Sequence, residues 1–379
     1  MKIMHVISGL GNGGAEAVLY RLTVADQQSG NLHHVVSLTD RGVYGDRLEQ
    51  AGVYVNTMDM PRGKVSGKGL LRLYKLIRLE RPDVVQTWMY HADLIGGMVS
   101  RFAGIEAIAW GIRHANLDPN QNKRKTILVA RMCAVLSRWI PKKIISCSAE
   151  ATRIHRELGY RPSKFIEIPH GYDMEKFKPD AEKRASLRYE LGIEKNAFVV
   201  GMVARFDPLK DHQNLFFALG ALKQSGHKFV CLLVGDGLNS GNSRLMGKLK
   251  DAEITAHVQL LGQRNDIAAV MNALDVHILS SSGESFPNVL AEAMACGTPC
   301  VATNVGDAAL IVGDNGWMAA PADSGALAAG IRKAIALFES DRPAWQALQQ
   351  DCRLHIAAHF KLEQMCERYV RAWQLCVQS

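Results

Sequence analysis

The chain has 379 residues, 47% hydrophobic and 22% charged, which fits two globular α/β-sized domains of about 170–190 residues and argues against a disordered polymer. No stretch approaches the roughly 20 uninterrupted apolar residues of a membrane span, and the N-terminus runs straight into a strand, so a cytoplasmic protein is expected. The net charge of +8 is uneven: residues 1–170 hold 24 Lys and Arg against 14 Asp and Glu, the remainder 21 against 23. A basic first half suggests a surface for nucleic acid, anionic lipid or an acidic substrate, and charge alone does not choose among them. The eight cysteines form no C-x-x-C pair; Cys296 and Cys300 lack His or Cys partners nearby, so buried free thiols are expected rather than a metal site.

In chain order, Lys2–Ser8 is an apolar run and predicts a strand, followed by the glycine-rich turn Ser8–Glu16 and a helix to about Gln27. Strands are expected at His33–Leu38, Val53–Met58, Asp83–Thr87, Ala107–Ile112, Ile144–Ser148 and Lys164–Ile168. Helices fall between them, including Leu70–Leu79, His91–Phe102, an amphipathic helix with basic ends at Lys123–Trp139, and Ala149–Leu158. The charged, irregular stretch Asp173–Glu194 reads as a linker. The alternation then restarts with strands at Phe198–Ala204, Phe229–Val234, Val258–Leu261, Val276–Leu279 and Pro299–Thr303. Helices are expected at Asp211–Gln224, to about Ala252, at Asp266–Asn272, at Ser324–Phe338, around Arg342–His359 and at Leu362–Gln378. Strand alternating with helix means a parallel sheet covered on both faces, twice over, with ligands at the carboxyl ends of strands. Two such doubly wound units are expected to face each other across a central cleft.

Gly283–Gly297 reads as a helix with its approach loop. Pro287 suits the first helical position and Gly297 the residue just past the end. Val289, Leu290, Ala293 and Met294 form an apolar stripe, and two acids, Glu284 before the first turn and Glu292 midway along, interrupt the pattern. A helix N-terminus at a cleft favours an anion, and a carboxylate beside it is expected to orient a polyhydroxylated ligand rather than neutralise the site.

Gly9-x-Gly11-x-x-Gly14 matches the dinucleotide fingerprint after a strand. It also fits a tight turn for helix packing, or a loop whose backbone approaches another phosphate or sugar through positive φ. Arg205 and Lys210 end a strand five residues apart, with Pro208 stiffening the turn; they fit phosphate oxygens, or a solvated surface beside Asp207 and Asp211. No Asp-x-Asp occurs, so fixed cations rather than a divalent ion are expected at any diphosphate. His91 and His114 follow first-half strands, as structural hydrogen-bonders or as cleft residues, with His114 favoured because it ends its strand directly. The basic helix at Lys123–Trp139 fits core packing with a solvated edge, or an anionic membrane surface.

Taken together, Glu284–Glu292, Ala204–Asp211 and the Gly-Gly-Ala-Glu turn resemble the family-4 retaining glycosyltransferases of the GT-B fold, of the bacterial polysaccharide and lipopolysaccharide type. The match spans nearly the whole chain. Glu284 and Glu292 look like the family's E-x7-E signature and Arg205 with Lys210 like its donor-phosphate motif. Ile168-Pro169-His170-Gly171-Tyr172-Asp173 resembles its interdomain I-P-N-G-V-D, with His170 for Asn and Tyr172 for Val. The resemblance implies an acceptor-binding domain at 1–171, a donor-binding domain at 172–358, and a closing helix at 359–379 that returns to the first.

It also implies roles. Arg205 and Lys210 would hold and stabilise the donor diphosphate, Glu292 the ribose, and Glu284 and His114 the sugar. Phe286, Pro287, Asn288 and Val289 would shape the pocket, with Gln263 and Arg264 bordering the base and Gly14 approaching the diphosphate. Glu16, His91, Arg113 and Arg131 are acceptor-side candidates. The implied partners are a nucleotide-sugar donor, a saccharide or polyprenyl-linked acceptor and the inner face of an anionic membrane, with no cofactor, no metal and no nucleic acid. A nicotinamide oxidoreductase, a nucleotide-sugar epimerase, a soluble-glycoside synthase and a non-enzymatic sugar binder are the alternatives.

Overall fold

A computed structural model describes residues 1–115, 117 and 124–378. The strands are β1 (Lys2–Ile7), β2 (Leu32–Ser37), β3 (Tyr54–Thr57), β4 (Val84–Trp88), β5 (Ile108–Ile112), β6 (Lys143–Ser146), β7 (Phe165–Glu167), β8 (Val199–Val203), β9 (Val230–Val234), β10 (Val258–Gly262), β11 (Val276–Leu279), β12 (Cys300–Thr303) and β13 (Gly316–Ala319). The helices are α1 (Gly14–Asp26), α2 (Gly42–Gln50), α3 (Gly67–Glu80), α4 (Tyr90–Phe102), α5 (Arg124–Leu136), α6 (Ala149–Glu157), α7 (Ala181–Glu190), α8 (His212–Gln224), α9 (Ser243–Asp251), α10 (Ile267–Ala273), α11 (Asn288–Ala295), α12 (Ala308–Val312), α13 (Ser324–Ser340), α14 (Arg342–His359) and α15 (Leu362–Gln378). Lys123, the expected first residue of the basic helix, lies outside the described residues.

The chain divides into two units, Met1–Gly171 with Leu362–Ser379, and Tyr172–Lys361. The first holds a seven-stranded sheet ordered β3-β2-β1-β4-β5-β6-β7, the second a six-stranded sheet ordered β10-β9-β8-β11-β12-β13. The strand pairs are parallel. Central strands such as β1 and β8 are buried nearly end to end, the near-continuous apolar runs that helices on both faces require. Side-chain caps start many of the helices: Ser66, Ser148, Asp180, Asp211, Asn242, Asp323 and Asp341 each accept from a backbone N–H of the first turn. Two doubly wound parallel sheets are therefore present, as the alternation predicts.

In the first unit α15 closes one face. Trp373 Nε1 donates to Gln86 Oε1 at 3.1 Å, and Tyr369 stacks on Trp88 with ring centroids 6.1 Å apart. Trp88 is held from below by a buried chain: its Nε1 donates to His5 Nδ1 (3.2 Å), His5 Nε2 meets His33 Nδ1 (2.9 Å), and His33 Nε2 meets Asp26 Oδ2 (3.0 Å). Indole N–H can only donate, so His5 Nδ1 accepts and the tautomers along the chain follow.

Three expectations need correction. The supposed linker Asp173–Glu194 contains α7, whose Arg184 and Arg188 reach the buried Asp275 at 2.6 and 2.8 Å; its charge serves an internal ion pair, not a solvated connector. Pro287 is the N-cap of α11, extended at φ −72°, ψ 92°, and the helix begins at Asn288. Residues 304–323, read without an element, hold α12 and β13, both too short for their periodicity to stand out. Gly297 does lie just past α11, at φ +74°, the left-handed position that favours glycine.

Candidate functional site

The order of the second sheet changes direction between β8 and β11: β9 and β10 lie on one side, β12 and β13 on the other. Such a switch point opens a crevice at the carboxyl edge. The loops leaving these two strands carry Lys210 and Glu284, and the side chains meet: Lys210 Nζ donates to Glu284 Oε1 at 2.5 Å. Ser281 Oγ donates to the same oxygen at 2.7 Å. Lys210 is 24% exposed and Glu284 12%, so the pair is partly shielded yet reachable.

The backbone beneath them is closely tied. Pro208–Lys210 forms a 3-10 turn capped by Asp207, whose Oδ1 accepts from Leu209 N at 3.0 Å. Asp211 takes φ +43°, a rare conformation for a non-glycine residue, while its carboxylate caps α8 through Asn214 N. Ser280 Oγ donates to the carbonyls of Lys210 and Asp211, both at 3.0 Å, and Thr303 Oγ1 to that of Ser281 at 2.7 Å. Gly306, at φ +54°, lies so close that a Cβ would collide with the carbonyl oxygens of Ser285 and Glu284. His212, the first residue of α8, is buried, and that burial with the nearby Lys210 charge lowers its pKa to about 4; it is neutral at pH 7.

The other expected residues divide into groups. Arg205, 63% exposed, turns its Nε to Asp207 Oδ2 at 3.1 Å. Arg264 grips Asp266 through two nitrogens (2.8 and 2.6 Å) and Glu190 through a third (3.1 Å). Gln263 is exposed. Phe286 turns into the interior and meets Phe360 edge-on, centroids 5.7 Å apart. Asn288 Oδ1 accepts from Tyr172 Oη at 2.6 Å. Val289 and Glu292 are half-buried on α11.

The first sheet has its own switch point, between β1 and β4. The loop after β1 leads into α1, with Gly13 as an N-cap that supplies no side-chain bond. Glu16 folds back over Gly13, its carboxylate lying where a Cβ there would sit, and burial raises its pKa. Gly14 is exposed, and the positive-φ glycines do not include Gly9, Gly11, Gly13 or Gly14, contrary to the idea that this loop uses left-handed backbone. After β4, Met89 adopts φ 72°, ψ 156° as N-cap of α4, a region nearly restricted to glycine and costing on the order of 1–3 kcal/mol.

Nearby, Asp93 is buried. Its Oδ1 accepts from Thr87 Oγ1 (2.5 Å) and Gly111 N (3.2 Å), its Oδ2 has no partner among the described residues, and burial pushes its pKa up to about 7. His114 meets the Tyr90 ring edge-on, centroids 6.5 Å apart, and the Tyr90 hydroxyl in turn lies 2.6 Å from His155 Nε2. Arg113 lies over the Trp88 ring at 4.5 Å, donates through Nη2 to the Tyr369 hydroxyl and has Nη1 3.3 Å from His170 Nε2. It joins α15 to the end of β5. His91 and Arg131 are exposed. Sequence reasoning missed Ser281, Gly306 and Met89; only Ser281 left a signal, in the run Ser280-Ser281-Ser282 before Gly283.

Comparison with known proteins agrees with this layout. Residues 183–345 match the family model of glycosyl transferases group 1, and residues 12–176 that of glycosyltransferase family 4. The chain is 32% identical over 249 residues to the UDP-Gal:alpha-D-GlcNAc-diphosphoundecaprenol alpha-1,3-galactosyltransferase of Escherichia coli, an alignment spanning 63% of this chain and 62% of that protein. It is 24% identical over 315 residues to the putative glycosyltransferase EpsF of Bacillus subtilis, covering 79% and 78% of the two. Anabaena Alr3699/HepE, solved in complex with UDP and glucose, superposes with a TM-score of 0.85 at 24% identity over 98% of each chain; that likeness bears on the fold.

Proposed function

The chain belongs to the family-4 glycosyltransferases of the GT-B fold, and from that premise we propose that it moves a hexose or N-acetylhexosamine from a nucleotide-diphosphate sugar to a lipid-linked or growing saccharide acceptor, with retention and without a metal ion. One observation carries the reading: Lys210 and Glu284 meet at the switch point of the second sheet, beside the N-terminus of α11. As the bond from the sugar to the diphosphate breaks, negative charge grows on the leaving group. Fixed cations aimed there stabilise the transition state more than the ground state. Lys210 supplies such a cation, and Arg205 swings from Asp207 to supply a second. Glu284 contacts the sugar and Glu292 the ribose. These cations replace the divalent ion that an Asp-x-Asp would hold, and the sequence has no such motif.

The acceptor carries a diphosphate-linked lipid, the chemistry named for the Escherichia coli relative, and the enzyme works peripherally at the inner face of an anionic membrane. The outer side of α5 supports this. Leu128, Met132, Val135 and Trp139 are 59%, 45%, 59% and 64% exposed, at spacings that put them on one face. The helix carries Arg124, Lys125 and Arg131 and no acid, and Arg138, Lys142 and Lys143 follow it. An apolar stripe with cations along it and a Trp at its end fits an anionic interface. Among the described residues no helix is long and apolar enough to cross a membrane.

A thermal-shift panel of nucleotide sugars tests the donor assignment. A ligand at 100 times its dissociation constant adds about 2.7 kcal/mol of stability; a response to NAD and to no nucleotide sugar would overturn the reading.

A further inference from the structure

Tyr172 stands where the interdomain motif has Val, and its side chain is buried. Its backbone N–H donates to the Phe360 carbonyl at 2.9 Å, and it forms a parallel bridge with Lys361. Its hydroxyl, which a Val would lack, donates to Asn288 Oδ1 at 2.6 Å. Asn288 is the first residue of α11, a helix whose N-cap, Pro287, offers no side-chain acceptor. The segment that follows Tyr172 is fastened to the other end of the same helix. Arg353 on α14 donates through Nη1 to the carbonyls of Phe177 (2.9 Å) and Ala295 (2.8 Å), and through Nη2 to that of Met174 (3.1 Å). The stretch Tyr172–Phe177 therefore straps α11 at both ends, and its Tyr172 end touches a side chain at the helix head.

We propose that Tyr172 is a positioning residue for the donor's diphosphate: its hydroxyl turns the Asn288 carboxamide oxygen inward, so that the head of α11 does not present that oxygen to an anion. The inference rests on the donor reading above. A carboxamide has an acceptor end and a donor end, and an anion at a helix N-terminus is favoured by N–H groups and opposed by oxygens facing it. Removing the hydroxyl while keeping the ring takes away this one hold on Asn288 Oδ1 and leaves the buried ring in place.

The test is calorimetric titration with UDP of the full chain, Tyr172→Phe, Asn288→Ala and the double variant, with thermal unfolding of each. Loss of one hydrogen bond of about 0.5–1.5 kcal/mol corresponds to roughly 2–10-fold, so Tyr172→Phe should weaken UDP binding by that factor and raise the donor KM more than it lowers kcat. Because Tyr172 acts through Asn288, the same substitution should add nothing in the Asn288→Ala background. Unchanged UDP affinity with a lowered melting temperature would make Tyr172 merely structural and overturn the proposal. An equal loss in both backgrounds would overturn it too. If the unsubstituted chain binds neither UDP nor any nucleotide sugar, the donor reading fails first and takes this inference with it; if it binds UDP normally and only the Tyr172 comparison fails, the donor reading stands.

Discussion

Lys210 Nζ lies 2.5 Å from Glu284 Oε1, joining the two loops that leave the sheet on either side of its switch point. In the proposed reaction the cation belongs to the diphosphate and the carboxylate to the sugar, so each holds the other in place until the donor arrives. A charged hydrogen bond is worth roughly 1.5–3 kcal/mol, so Lys210→Ala should cost on the order of 10–100-fold in turnover. Because the two share a hydrogen bond, Lys210→Ala and Glu284→Ala should be less than additive when combined. Glu292→Ala, on the ribose side, should chiefly raise the donor KM. Steady-state kinetics on the four variants checks this; full additivity, or a kcat collapse in Glu292→Ala with Glu284→Ala unaffected, would contradict the assignment.

Gly306 supports that pair from the β12 side, at φ +54° and against the carbonyls of Glu284 and Ser285. Ala there meets two obstacles, a positive φ and a backbone collision, and the loop before α11 must shift. We expect Gly306→Ala to lower turnover at least about tenfold, since small displacements of positioning groups cost that much, while nucleotide-free thermal stability falls by about 1–3 kcal/mol. An active variant with wild-type kinetics would show that the loop tolerates the shift.

Asp93 makes a pH prediction. Its carboxyl is pushed up to about 7 by burial, against about 3.9 in an unfolded chain. Between those values the native state keeps a proton that the unfolded state has released, so this group's contribution to stability falls as pH rises. Asp93→Asn cannot titrate. Its stability relative to the unsubstituted chain should therefore improve between pH 5 and pH 8, on the order of 2–4 kcal/mol. Urea unfolding at the two pH values reads the difference directly; a constant gap would mean Asp93 is ionised throughout.

Much of this architecture was legible in the sequence, for identifiable reasons. Long apolar runs such as Lys2–Ile7 and Val199–Val203 are buried on both faces and could only be central parallel strands. Lys210 stood out as the second of two cations five residues apart after a strand, and Glu284 as an acid before the first turn of an otherwise apolar helix. What stayed hidden depended on contacts distant in the chain. The charge of α7 looks like a linker until Asp275, some ninety residues away, is brought against Arg184 and Arg188. Gly306 looks like any loop glycine until the Glu284 backbone is folded over it. Arg113 reads as an acceptor-side cation, and nothing near it in sequence shows that Trp88 and Tyr369, far apart in the chain, enclose it.

The outer face of α5 should govern membrane contact. In co-sedimentation with vesicles of phosphatidylglycerol and phosphatidylcholine, the chain should bind, with binding weakened by salt and absent on phosphatidylcholine alone. Leu128→Glu with Val135→Glu should reduce binding by about tenfold or more, without changing transfer to a soluble acceptor analogue. Undiminished sedimentation of the double variant would place the contact elsewhere.

The account stands most directly on the anomeric configuration of the product. With the nucleotide sugar that stabilises the chain as donor, proton NMR of the freshly formed glycoside reads that configuration from the anomeric coupling. The account predicts the configuration of the donor sugar, carried through unchanged; an inverted anomeric centre would contradict it.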